Sequence, residues 1–96
     1  MELAKKSYVE SYVNSKVSYT DVGKLHDGNY SYPELARAKV VIFLIKGNSN
    51  SIESIILNPD SFSVEDSYNI TLTKYGGIVL SGLESTQNLI GFLAFY

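Results

Sequence analysis

The chain has 96 residues, 45% of them hydrophobic and 19% charged, with eight basic and ten acidic side chains and a net charge of −2. That composition suits one domain with a real core, burying roughly 65% of its unfolded surface, and it argues against disorder or a second domain. No Lys/Arg cluster is present to match a phosphate backbone, so nucleic acid is not an expected partner.

The chain has no cysteine, which removes thiol catalysis, disulfides and cysteine-ligated zinc. No apolar run approaches the ~18 residues of a membrane span. Met1-Glu2-Leu3-Ala4-Lys5-Lys6 lacks the apolar stretch of a signal peptide. The expectation is a chain in the cytoplasm, or in a virion or host cytoplasm, with no membrane partner and no classical secretion.

In chain order, Ala4, Tyr8 and Tyr12, and likewise Val9, Val13 and Val17, recur every four positions. That spacing predicts an amphipathic helix over 1–15, although the Ser-Tyr-Val repeats within it also suit a strand. Residues 16–96 read as a β-rich body of about six short strands. Val17, Tyr19 and Asp21 alternate as a strand does, and Asp27-Gly28-Asn29 predicts a tight turn closing a hairpin over 24–32. Ser31 and Glu34 are spaced as a capping box around Pro33, which predicts a short helical turn over 35–38.

Residues 40–45 and 89–96 are apolar at every position. Successive strand side chains point to opposite faces, so an unbroken apolar run calls for protein on both sides and a central place in a sheet. Between these runs, Ile52, Ile55 and Ile56 precede an Asn58-Pro59-Asp60 stop, and Phe62 and Val64 begin another strand. Tyr68, Ile70 and Leu72 face Ile78 and Leu80 across a Gly76-Gly77 turn, which predicts a hairpin with one buried face. The fold class that follows is mainly β, a β-sandwich or jelly-roll-like body with a short N-terminal helix; the alternative is an α+β layer, one helix packed on an antiparallel sheet. The whole chain, 1–96, forms a single domain.

Motifs for chemistry are missing. His26 is the only histidine, so multi-histidine metal sites are out. The acidic residues show no calcium-loop spacing, and the glycines sit at turns without a phosphate-cradling pattern. No catalytic residue, metal ligand or cofactor is assigned.

Eight tyrosines against four phenylalanines are unusual, and they crowd the first third of the chain. Tyrosine offers a rigid contact surface with a polar handle. Tyr19, His26, Asp27, Asn29, Tyr30 and Tyr32 are therefore the candidate binding surface. Phe92, Phe95 and Tyr96 are the candidate oligomer contact, because an apolar chain end must be tied down.

These features point to a non-catalytic binding or structural module acting through protein–protein contacts, with a protein partner or self-association as a homo-oligomer. The polar hairpin followed by an apolar closing strand resembles in texture the small accessory and structural β-modules of viruses and phages. The alternative is a small-molecule-binding or hydrolytic domain with its site around His26, Asp27 and Tyr30.

Overall fold

A computed structural model describes residues 17–47 and 49–96. The helix expected over 1–15 lies outside the described residues.

Among the described residues eight strands form: β1 (Val17–Leu25), β2 (Gly28–Ser31), β3 (Val40–Lys46), β4 (Ile52–Leu57), β5 (Ser61–Val64), β6 (Asn69–Leu72), β7 (Gly77–Ser81) and β8 (Asn88–Phe95). A 3-10 helix, Pro33–Arg37, separates β2 from β3. The strands make two antiparallel four-stranded sheets: sheet A in the order β1-β8-β3-β4, and sheet B in the order β2-β7-β6-β5.

The two apolar runs found in the sequence are neighbours at the centre of sheet A, with Ile42 opposite Leu93 and Phe43 opposite Phe92. Their inner side chains Val41, Phe43, Ile45, Leu89 and Phe92 are almost wholly buried, and they share one cluster with Ile70, Leu72, Ile78 and Leu80 of sheet B. One core between two sheets is the sandwich of the expected mainly β class. Phe43 and Phe92 meet with ring centroids 5.9 Å apart, and the rings of Tyr32 and Phe92 meet in a T-shaped arrangement with centroids 5.1 Å apart. Such offset and edge-on contacts suit the ring quadrupoles.

The hairpin at Gly76-Gly77 forms in the expected register, with Ile70 opposite Leu80 and Leu72 opposite Ile78. Thr73 closes its turn twice: its amide donates to the Gly77 carbonyl, and its hydroxyl accepts from the Gly77 amide, both at 2.8 Å. The β4–β5 corner at Asn58-Pro59-Asp60 is fastened by Ser61, whose hydroxyl accepts from the Asn58 amide at 3.0 Å. Asn58 also donates its side-chain amide to the Lys39 carbonyl at 2.7 Å.

Three expectations need correction. The described residues hold eight strands where about six were expected, since β2 and β5, at four residues each, stand as strands of their own. Residues 24–32 form no hairpin: β1 pairs with β8 in sheet A while β2 pairs with β7 in sheet B, so the chain turns a corner from one sheet to the other at His26-Asp27. Asp-Gly supplies the backbone freedom for either geometry, and the choice falls to the longer-range pairing. The capping box does not form either. Ser31 ends β2, Tyr32 takes the N-cap position without a side-chain hydrogen bond, and Pro33 opens a 3-10 turn.

Candidate binding surface

The residues singled out around the 26–32 turn do come together, but they face the backbone. Asp27 accepts two backbone amides from the connection between β7 and β8, Gly82 on Oδ2 at 3.1 Å and Leu83 on Oδ1 at 2.9 Å. His26 Nε2 lies 2.8 Å from the Glu84 carbonyl oxygen, which can only accept, so Nε2 carries the proton and donates. Tyr30 donates its hydroxyl to the His26 carbonyl at 2.8 Å. Hydrogen bonds to an ionised carboxylate are the stronger kind, and these clamp the 82–84 segment onto the corner between the sheets.

The other members of that candidate surface are scattered. Asn29 is exposed opposite Val79 on sheet B. Tyr32 is half-buried against the core. Tyr19 stands apart on sheet A, 53% exposed, and its ring crosses β8 at Gly91. A Cβ at position 91 would collide with the Tyr19 hydroxyl and would sit 2.8 Å from the Thr20 carbonyl oxygen. Glycine there lets the tyrosine lie flat, a cross-strand cover for a bare stretch of sheet.

The three candidate oligomer contacts separate in the same way. Phe92 is completely buried between the sheets, so a contact role cannot fall to it. Phe95 points to the opposite face of β8, and Tyr96 is half-buried beyond the strand end. Burial raises the Tyr96 phenol pKa, the Glu34 charge raises it further, and Arg37 opposes them.

The surface that these placements outline is the outer face of sheet A. Its two central strands present Val40, Ile42 and Leu44 from β3 and Leu93 and Phe95 from β8, all half-buried. The flanking strands extend it with Val17 and Tyr19 on β1 and with Ile52 and Ile56 on β4, each between 37% and 64% exposed. Register confirms the grouping, since Tyr19, Leu93, Ile42 and Ile56 lie in one row across all four strands. Sequence reasoning required cover on both sides of β3 and β8; sheet B supplies one side, and no other described strand lies on the second.

A second feature spans the two sheets. Tyr68 is buried and donates its hydroxyl to Glu53 on β4 at 3.1 Å. Burial pushes its phenol pKa well above the usual range, and the hydrogen bond to Glu53 and the charges of Glu53 and Glu65 add to the shift.

Among the described residues no three His, Cys, Asp or Glu side chains gather as metal ligands would, and no helix is long and apolar enough to cross a membrane. No family model, curated protein or solved structure matches the chain.

Proposed function

We propose that this chain is a non-catalytic binding or structural module that associates with a second copy of itself through the outer face of sheet A. The observation that carries this reading is the unbroken apolar row Tyr19, Leu93, Ile42 and Ile56 on a face whose reverse side is already packed. A contiguous apolar patch on a folded domain marks a contact site. Each Å² of apolar area withdrawn from water is worth about 25 cal/mol, so this face gains most from a flat apolar counterpart. A twofold arrangement provides one, because it sets the same patch against itself. Two such sheets then stack at about 10 Å, the spacing already present inside sandwiches.

Sedimentation equilibrium at micromolar concentration tests the reading. The wild-type chain is expected to show more than one chain per particle, and the Ile42→Lys/Leu93→Lys double variant a single-chain mass with its circular-dichroism spectrum retained. A single-chain mass for the wild type overturns self-association.

A further inference from the structure

A cleft of about 380 Å³ opens at one end of sheet A, where β1 leaves the sheet and the β3–β4 and β7–β8 connections converge. Small-molecule sites span about 300–1,000 Å³, so the cleft has room for a compact ligand. Lys24 of β1 and Lys46 at the end of β3 line it, together with Asn50, Ser85, Thr86 and Asn88, and Ile90 forms an apolar wall.

Two irregularities in the sheet shape it. Asp21 pairs with Gly91 and Leu25 with Leu89, so the three residues 22–24 on β1 stand against the single residue Ile90. Across the sheet Leu44 pairs with Gly91 and Ile45 with Leu89, which leaves Ile90 as the extra residue of a bulge on β8. Bulges bend a strand and re-aim its side chains, and they are frequent beside functional sites. Gly23, at φ +76°, makes the β1 turn, and its amide donates to Asp21 Oδ1 at 2.8 Å. The opposite wall is also held in place. Glu84 and Gln87 are joined by two hydrogen bonds, Gln87 N–H to the Glu84 carbonyl at 2.9 Å and Glu84 N–H to Gln87 Oε1 at 3.0 Å, and His26 anchors that same carbonyl from outside.

The charge in the cleft is one-sided. Among the described residues no carboxylate lines it. The acids on the adjoining strands have other donors, Asp21 the Gly23 amide and Glu53 the Tyr68 hydroxyl. An anion that meets two lysines of one cleft gains charge-assisted hydrogen bonds from both. The remaining lining offers hydroxyls and amides, which donate and accept at once and so suit ligand hydroxyl groups.

We infer that the cleft binds a small polyhydroxylated ligand bearing an oxyanion, a phosphate or sulfate ester of a sugar or polyol. Lys24 and Lys46 meet the oxyanion, and Asn50, Ser85, Thr86 and Asn88 meet the hydroxyls. The cleft borders the apolar contact face, with Lys46 opposite Ile52, but the two assignments rest on different side chains, so either can fail without the other.

Amide-resolved NMR titrations of the full chain at constant ionic strength provide the test, with glucose 6-phosphate, glucose 6-sulfate, inorganic phosphate, glucose and sodium chloride as probes. The two esters are expected to shift the amides of Lys24, Lys46, Asn50 and residues 85–88, while glucose and chloride leave them in place. In the Lys24→Gln/Lys46→Gln variant, affinity for the esters is expected to fall by roughly tenfold or more, as charge-assisted bonds are lost. Both lysines are exposed, so an unchanged melting temperature is expected to show the variant folded. Absent shifts, shifts that chloride reproduces, or equal binding by the lysine variant overturn the inference. Inorganic phosphate binding as tightly as the esters removes the role given to the four polar side chains.

Discussion

The two outer faces of the sandwich belong to sheets with the same number of strands and the same antiparallel pairing, yet they are built for different surroundings. Across sheet B, β6 presents Asn69 and Thr71 and the neighbouring strands add Asn29, Ser31 and Ser81, so its centre is polar and its apolar members are Val79 and the edge residues Phe62 and Val64. Across sheet A the centre is Ile42, Leu44, Leu93 and Phe95. An antiparallel sheet with one dry side and one wet side reads as strict alternation, and β6 and β7 follow that rule. β3 and β8 break it, and the break lies wholly on the outer side. Burying the core does not need those residues, and on the proposed reading their role is contact with a second copy of the chain.

The largest effect expected separates neighbours in β8. Phe92→Ala should cost about 3–5 kcal/mol in chemical denaturation, since it empties the centre of the core, whereas Leu93→Ala, one residue on and facing out, should cost much less in the single chain. Equal losses would erase the distinction between the two sides of sheet A. Next in size is the clamp at the corner. Asp27→Ala leaves the Gly82 and Leu83 amides without their acceptor and should cost about 1–3 kcal/mol, measured by thermal unfolding, with increased hydrogen exchange confined to residues 82–88.

Gly91→Ala should cost about 1–2 kcal/mol by forcing the Tyr19 ring off the sheet. Removing the ring first, in Tyr19→Ala/Gly91→Ala, should recover part of that loss, and a double variant with strictly additive costs would show that the ring does not govern the position. At the small end, Thr71→Val on the polar outer face should change stability by no more than about 0.5 kcal/mol and leave the particle mass unchanged. An increase in mass would show that sheet B also self-associates once made apolar.

Tyr68 adds a pH test of the joint between the sheets. Its phenol holds its proton more tightly in the folded chain than in the unfolded one. The stability tied to that proton is therefore fully present below the unfolded value of about 10 and is lost as pH rises toward the higher folded value. Urea midpoints between neutral and strongly alkaline pH should fall in the wild type and fall less in Tyr68→Phe. Parallel curves would assign the alkaline loss to other groups.

The sequence by itself determined most of the strands and their packing sides. Alternation placed Ile70, Leu72, Ile78 and Leu80 inward because a strand has a period of two, and the apolar runs required β3 and β8 to be central because an exposed edge of that kind is a liability. Tertiary structure decided which strands became partners. The Asp27-Gly28 turn serves a hairpin or a corner equally well, and pairing of β1 with β8 and β2 with β7 selected the corner. It likewise turned His26, Asp27 and Tyr30 from apparent site residues into a backbone clamp, and it gathered Lys24, Lys46 and Thr86 from distant segments around one cleft. Strand formation follows from neighbours along the chain, which a sequence displays; pairing, clamping and cleft formation depend on groups brought together from far apart, and only the folded chain sets those distances.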